Sequence, residues 1–448
     1  MQLDESTAWQ PFVPDNDRPW SRRLVAHAWR RAAFGATSTQ IADSLKLSPV
    51  ELAEQFIEGG VDERAAEFES LARTAVATNS IENLAGGWLY RMLHARNPLL
   101  EKMTLFWHGH FATGNEKVEN AGLMFGQHSL LRQHALGDFK QLAHGIAKDP
   151  AMLIYLDSES NRKAHPNENF ARELMELFVL GEGNYTEVDV RELARCFTGW
   201  ELRRDRFRFN RYQYDRGEKS FLSESGAFTG EQGVDIVLKS EAGPRFIVRK
   251  LLRFFVAEEP ELPDRFVERL AVQLREADWN VSVVMRTILS SRMFYSQQAI
   301  GRRVRSPVEL VVGLLRSLDG SANVSQLGRQ LGRIGQKLFF PPNVKGWDGG
   351  RTWINSSTLL GRANLVRDLL MSGKTRFGGG ALDQYLKKWP STAGSVVDQF
   401  EELLLAVQLQ PGVKKEIREL VESSEGSMDR RLRIALHTLC LQPEFHLC

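Results

Sequence analysis

Cysteine is scarce in this chain of 448 residues, and its arrangement excludes two classes of protein. The only cysteines are Cys196, Cys440 and Cys448, and no Cys-x-x-Cys pair occurs. A set of three without that spacing is neither a disulfide framework nor a zinc ribbon. Unpaired thiols are typical of a reducing compartment, so the sequence predicts a cytoplasmic location.

Long apolar runs are also missing. No stretch approaches the roughly 18 to 20 uncharged apolar residues that a membrane-spanning helix needs. Residues 1–20 are polar and acidic, whereas a secretory signal needs a basic start and an apolar core. Arg22 and Arg23 resemble a twin-arginine signal, but Arg30 and Arg31 interrupt the apolar run that would have to follow. We therefore expect neither a membrane segment nor an export signal.

No charge of one sign dominates, because 58 basic side chains stand against 56 acidic ones. This balance gives no global field that would draw the chain to nucleic acid or to anionic lipid, so neither is expected as a partner. A basic strip with interleaved aromatic residues spans 203–219, but acidic residues dilute it, which favours a solvated hairpin over a site for nucleic acid.

Several catalytic and cofactor motifs are absent. The glycines do not form a dinucleotide fingerprint or a P-loop, and no Gly-x-Ser-x-Gly nucleophile elbow occurs. Nucleotide cofactors and covalent serine catalysis therefore have no support in the sequence. The cofactor and the metal content remain unknown at this point.

Proline is scarce as well, at 16 residues, and long Leu-, Ala-, Arg- and Glu-rich stretches have helical periodicity. We therefore predict a mainly α, multi-helix protein with a small β-hairpin insert and one long Gly/Pro/Trp-rich loop at 341–357. In the insert, Phe207 and Phe209 alternate with charged residues, as do Tyr212 and Tyr214, which predicts a turn near Asn210. The predicted organisation is an N-terminal extension (1–20), a helical lobe (21–200), the hairpin insert (201–232) and a second helical lobe (233–448).

The densest group of polar residues lies at 165–200, in the first lobe. A helix is predicted from Asn167 to Val179, with an apolar stripe on one face and polar side chains on the other, namely Glu168, Asn169, Arg172 and Glu176. Four-residue spacing would let Arg172 contact both Glu168 and Glu176. Such charge ladders are also common on solvated helix faces, where each pair contributes only a few tenths of a kcal/mol.

The ends of this helix, and Glu173 within it, carry further signals. Glu173 falls at the edge of the apolar stripe, where a carboxylate loses part of its hydration. Gly181 is expected to end the helix, and Thr186 with Asp189 three residues later predicts a capping box for the next one.

Two histidines occur close together at the end of another predicted helix, from Leu99 to His110. Because residues two apart on a helix point in nearly opposite directions, His108 and His110 are not expected to chelate one metal ion. The spacing places His110 in the centre of an apolar face and His108 near solvent. A structural core histidine is one interpretation of His110. The other is that His110 faces Glu173, which would raise the imidazole pKa and form an acid/base dyad.

Long motifs of this chain resemble the bacterial domain-of-unknown-function 1800 family. The resemblance rests on AHAWRRAAFG, FWHGHFAT, AMLIYLDSESNRKAHPNENFARELMELFVLGEGNYTEVDVRELARCFTGW and PPNVKGWDGGRTWINSSTLL, and it extends from about Leu24 to Phe445. It implies one family domain over 21–448. The family has no settled activity, and the resemblance implies a sulfatase-like protein as a partner.

Two functions follow as expectations. The first is a hydrolase-like enzyme with an acid/base cleft between helices and a small-molecule or glycan ligand. Its expected catalytic residues are His110, Glu173, Glu168 and Arg172, and its expected ligand-binding residues are Asp157, Asn161, Asn167, Asn169, Glu176 and Trp347. The alternative is a non-catalytic accessory or assembly partner of a sulfatase-like protein, in which the polar cluster is structural.

Overall fold

The computed structural model describes residues 4–371, 373–388 and 393–448, so residues 1–3 of the predicted N-terminal extension lie outside it. The described chain is 59% helical, and its β-structure consists of three two-stranded antiparallel sheets. The predicted mainly α fold with a small hairpin insert is confirmed.

The helices of the first part of the chain are short and mostly begin at a polar capping residue. Thr37, Ser48 and Thr186 each form a complete capping box, the last as predicted with Asp189. The helices are α1 (Glu5–Ala8), α2 (Arg22–Ala33), α3 (Ser38–Ser44), α4 (Pro49–Glu58), α5 (Ala65–Ala77), α6 (Ile81–His94), α7 (Pro98–His110), α8 (Asn115–Val118), α9 (Ala121–Gln133), α10 (Phe139–Ala147), α11 (Pro150–Tyr155), α12 (Asn169–Glu173) and α13 (Glu187–Cys196).

The helix predicted over 167–179 is not a regular α-helix. Its first part is α12, and Leu174–Val179 continues it as a π-helix. Gly181 follows with φ of 82°, a conformation that costs glycine little, and so ends the helical segment as predicted.

The insert contains two hairpins where the sequence predicted one. The strands are β1 (Trp200–Arg203), β2 (Arg206–Phe209), β3 (Lys219–Phe221) and β4 (Glu224–Gly226). The predicted turn near Asn210 is wrong, because β1 pairs with β2 around Arg204 and Asp205, both at positive φ. A two-residue turn of this kind usually contains Asn or Gly, and the absence of either concealed it.

The second part of the chain is again helical. Its elements are α14 (Gly230–Lys239), α15 (Ala242–Phe255), α16 (Asp264–Glu276), α17 (Val281–Ser290), α18 (Pro307–Ser317), β5 (Gly320–Ser321), α19 (Val324–Arg333), α20 (Ser356–Met371), β6 (Arg376–Phe377), α21 (Leu382–Leu386), α22 (Ala393–Leu404), α23 (Pro411–Ser423) and α24 (Met428–Cys440). Short 3₁₀ helices lie at Gly350–Trp353 and Pro443–His446. The long loop predicted at 341–357 is present up to the 3₁₀ helix.

Helix α7 is buried on nearly all sides. Besides its apolar residues it buries Lys102, whose Nζ is 2.5 Å from Glu309 Oε1 of α18. Arg303 Nη1 reaches the same oxygen at 2.5 Å, so two cations share one carboxylate.

A single cluster of buried apolar residues extends from Ala8 to Phe445, and helices on both sides of the insert contribute to it. The predicted domain boundaries stay a prediction.

None of the helices that the structure describes is both long enough and apolar enough to cross a membrane.

Candidate active site at a π-helical turn

The segment Leu174–Val179 is a π-helix, and the carbonyl groups of its last turn are available to groups outside the helix, as at the C-terminus of any helix. Leu180 N donates to Met175 O at 2.9 Å, a bond that spans five residues instead of four. Such turns are frequent at functional sites because they change the direction of local side chains and carbonyls. Here the carbonyl oxygens of Leu177 and Phe178 accept hydrogen bonds from side chains of two other helices.

His110, at the end of α7, is one of these partners. Its Nε2 lies 2.9 Å from Phe178 O, and because a carbonyl only accepts, Nε2 carries the proton. The other ring nitrogen, Nδ1, therefore accepts from Lys250 Nζ at 3.1 Å. Burial, with the Lys250 charge in addition, holds the pKa of His110 well below its usual range. The imidazole is consequently neutral, with a fixed tautomer.

Lys250, on α15, is the second partner. Its Nζ donates to Leu177 O at 3.0 Å and to the imidazole of His110, and it lies 4.6 Å from the ring centre of Phe246. Within the described chain no carboxylate forms an ion pair with this ammonium group. Burial lowers the pKa of Lys250 to about 7, and the charge of Arg253 acts in the same direction. The amine therefore exchanges its proton near neutral pH.

The predicted dyad between His110 and Glu173 is wrong. Both ring nitrogens of His110 are already engaged, by Phe178 O and by Lys250. The expected rise in the imidazole pKa is wrong as well, because burial has the opposite effect on a group that is charged when protonated.

Glu173 is nevertheless an unusual carboxylate. It is half-buried where α12 passes into the π-helix, and its carboxylate has neither a hydrogen bond nor an ion pair among the described residues. Burial raises its pKa, and the charge of Glu176 adds to this rise, while Lys345 and Arg172 oppose it. A carboxyl group in this environment holds its proton at a higher pH than an ordinary glutamate.

Arg172 connects α12 to α13 instead of lying between two carboxylates of its own helix. Its guanidinium contacts Glu187 at 2.6 and 2.8 Å and Glu168 at 3.3 Å. The predicted contact with Glu176 is wrong. The π-helix begins between the two residues, so the four-residue spacing of an α-helix no longer applies. Glu176 instead accepts a hydrogen bond from Tyr185 Oη at 2.5 Å.

The predicted ligand-binding asparagines hold the loop before α12 in place. Asn161 is buried and accepts from Asn167 N at 3.0 Å, Asn167 Nδ2 donates to Asp157 O at 2.5 Å, and Asn169 Nδ2 donates to Leu156 O at 3.3 Å. The carboxylate of Asp157 is exposed and pairs with Lys117 at 2.7 Å. The structure therefore brings these residues together beside α12, as the sequence predicted for the 157–161 loop.

The loop after residue 341 crosses the end of α7. Gly346 fits only as glycine, because its φ is 82° and a Cβ there would lie 2.2 Å from Gly109 O. Trp347 is half-buried, with its ring 5.7 Å from that of His108. Lys345 Nζ is 3.9 Å from Glu182 Oε1, and its charge lowers the pKa of Glu173. This crossing brings the loop and the π-helix to the same region.

His108 is not near solvent, which corrects the prediction for this residue. It is 1% exposed, and its Nε2 accepts from the backbone N of Phe339 at 3.1 Å, while Trp88 packs against its ring. The two histidines therefore turn to different partners, as expected from their helical spacing. Among the described residues no group of three His, Cys, Asp or Glu side chains is arranged to hold a metal ion.

One surface cavity adjoins the polar cluster. It has a volume of about 340 Å³, and its lining residues are Pro166, Glu168, Val188, Arg191, Glu192 and Arg195. Glu168 therefore faces a space that a small ligand can enter, whereas Glu173 is not among the lining residues.

Sequence reasoning missed Lys250 and Lys345, which lie far along the chain from the polar segment. One signal was available for Lys250. Phe246 precedes it by four residues and Phe254 follows it by four, so its stem lies on the border of the apolar face of α15. No comparable signal marks Lys345.

The chain matches the model of the family described as "Protein of unknown function (DUF1800)" over residues 27–447. The chain belongs to this family. No curated protein and no solved structure matches it. The match confirms the family resemblance that the sequence motifs indicated, and it assigns no activity to the chain.

Proposed function

We propose that this member of the family is a hydrolase that uses acid/base chemistry at the π-helical turn, with Glu173 as the proton donor. The observation that carries the proposal is the half-buried Glu173 carboxyl group, which has a raised pKa and no bonded partner in the described chain. A structural carboxylate is normally hydrogen-bonded or paired, whereas a general acid is a carboxyl group that keeps its proton to a higher pH than an ordinary glutamate.

Hydrolysis also requires a group that accepts the proton lost by water. In the proposal, Glu173 protonates the leaving oxygen while water adds at the bond that breaks, and Lys250 accepts the proton from that water. Lys250 suits this role because its pKa is about 7, while His110 fixes its position through Nδ1. The proposed substrate is a small molecule or a glycan, and Trp347 is the proposed contact for a sugar ring.

The test is turnover of fluorogenic esters, phosphate esters, sulfate esters and glycosides by the purified chain. Glu173→Gln is expected to lower kcat by about 10²-fold or more on the substrate that is cleaved, because it removes the proton donor. Glu159→Gln is the matched control, since Glu159 is exposed and its carboxylate makes no bond in the described structure. Failure of the wild-type chain to cleave any class, or equal rates for the wild type and Glu173→Gln, would overturn the proposal.

A second proposal is a non-catalytic accessory role beside a sulfatase-like protein. The observation that favours it is the use of Arg172, Glu168 and Glu187 to join α12 and α13, which is a structural task. In this case Arg172→Ala lowers the melting temperature because it breaks the contacts with Glu168 and Glu187, and the chain has no turnover to lose. Co-purification of a sulfatase-like protein with the wild-type chain supports the role, and its absence from the purified material contradicts it.

We also propose a cytoplasmic location, which the three free and buried cysteines support. Cell fractionation tests it, and recovery of the chain outside the cytoplasmic fraction contradicts it.

A further inference from the structure

The β1–β2 hairpin has a strand edge that the rest of the described chain leaves unpaired. Within the described residues, β2 pairs only with β1, whereas β1 also forms a bridge between Glu201 and Ser160 on its other side. An edge strand carries backbone N–H and C=O groups that another extended segment can bind. Natural edges are usually protected, so the side chains around this one indicate what it accepts.

One face of this hairpin concentrates arginine side chains. The register places Arg203 opposite Arg206 and Glu201 opposite Arg208, and strand alternation puts all four on the same face. Arg208 pairs with Glu201 at 3.4 Å. Arg203 and Arg206 are exposed and have no hydrogen bond or ion pair in the described structure.

Like charges directly opposite each other destabilise an antiparallel pair. Among the described residues, no carboxylate forms an ion pair with Arg203 or Arg206 that would offset this repulsion. Arg204 adds a third exposed cation in the turn at φ of 53°, a conformation that long side chains rarely adopt. Carboxylates of a bound partner would remove this repulsion, because each arginine can form two parallel hydrogen bonds with a carboxylate.

The opposite face of the hairpin is apolar. Phe207 packs edge-on against Trp200, with 5.2 Å between ring centres, and Phe209 remains 49% exposed at the end of the strand. Because the aromatic rings and the arginines are on opposite faces, a nucleic acid could not stack its bases on the rings while the arginines hold its phosphates. An extended peptide with alternating side chains reaches both faces at once.

We propose that the edge strand β2 binds an extended polypeptide segment in which acidic and apolar residues alternate. The segment adds as a third strand. Its carboxylates meet Arg203 and Arg206, and its apolar side chains cover Phe207 and Phe209. The partner is therefore a protein with an acidic strand-forming segment, and this binding does not depend on the proposed hydrolase activity.

The probe is the capped peptide Glu-Val-Glu-Val-Glu-Val-Glu, labelled for fluorescence anisotropy and titrated with the full chain. The double variant Arg203→Glu, Arg206→Glu is expected to weaken binding by about tenfold or more, since attraction becomes repulsion on one face. Arg216→Glu, an equal change of charge per site on an exposed arginine of the same insert, is expected to change binding by less than about twofold.

Two further probes separate the strand edge from charge alone. A peptide of the same sequence with N-methyl groups on alternate residues keeps its charge but cannot pair along a strand, and it is expected to bind about tenfold more weakly. Oligo-dT is the nucleic-acid arm. Equal binding of the peptide by the wild type and the double variant, equal binding of the methylated peptide, or binding of oligo-dT without the peptide would each overturn the proposal.

Discussion

Removing the carboxylate of Glu309 is expected to destabilise the protein strongly, because two buried cations depend on it. Lys102 and Arg303 each lie 2.5 Å from its Oε1, and the three side chains are 1%, 6% and 3% exposed for Lys102, Arg303 and Glu309. Its Oε2 also accepts from Ser306 N at 2.9 Å, as part of the capping box of α18. The carboxylate thus joins α7, which ends at His110, to α18.

The magnitude follows from the burial of the charges. An exposed ion pair contributes at most about 1 kcal/mol, whereas breaking a buried pair costs about 3–5 kcal/mol because a charge is left without compensation. We therefore expect Glu309→Gln to lower the free energy of unfolding by about 3–5 kcal/mol. That is a large share of the roughly 5–15 kcal/mol of a typical protein.

Urea unfolding followed by circular dichroism measures this loss. Asp43→Asn is the control, because the pair between Asp43 and Lys46 is mostly exposed, and a change below about 0.5 kcal/mol is expected. Adding Lys102→Met to Glu309→Gln is expected to restore part of the lost stability, since one uncompensated cation disappears. A loss of less than about 1 kcal/mol for Glu309→Gln would refute the reasoning.

The pH dependence has a definite sign. Burial opposes ionisation of Glu309, but Arg303 and Lys102 outweigh it and hold the pKa of the carboxyl group well below its ordinary value of 4.5. A depressed carboxyl pKa stabilises the folded state above the unfolded value, and this stabilisation is lost as the pH falls through the folded pKa. The difference in stability between the wild type and Glu309→Gln should therefore narrow below about pH 4.5, and a constant difference contradicts the assignment.

Three further changes test the site region. In urea unfolding, the free energy of unfolding of the wild type is expected to rise relative to that of Lys250→Met as the pH increases from about 7 to about 10, because the unfolded lysine still binds a proton there that the folded one has lost. A difference between the two proteins that does not change with pH contradicts this. Tyr185→Phe removes the hydrogen bond to Glu176 and is expected to lower the free energy of unfolding by about 1 kcal/mol, measured by thermal unfolding. An unchanged stability contradicts this. Gly346→Ala should cost about 2 kcal/mol or more, since its Cβ meets Gly109 O, and a neutral effect would show that the loop moves freely.

The fold was predictable from the sequence because its signals are local. Helical periodicity and polar caps lie within a few residues of one another, and so the α fold and the Thr186 capping box followed directly. The hairpin turn was not predictable in the same way. Arg204 and Asp205 adopt positive φ without glycine or asparagine, so the usual composition signal is missing.

The candidate site was predictable only on the polar segment itself. The sequence indicated Glu173 at the edge of an apolar stripe, and the structure places it half-buried with a raised pKa. The contacts of Arg172 and Glu176 were wrong because the π-helix inserts a residue into the turn, which a period of 3.6 residues cannot represent.

His110 shows why the remaining part of the site required coordinates. Its helix was predicted correctly, and its burial in an apolar environment was expected. Its chemistry, however, depends on Phe178 and Lys250, which are 68 and 140 residues away along the chain. Burial lowers the pKa of the imidazole and the charge of Lys250 lowers it further, while the hydrogen bond to Phe178 O opposes them, and the ring is neutral. A carboxylate in the place of Lys250 would raise the pKa of the imidazole instead, so the helix and its burial do not by themselves fix the protonation state.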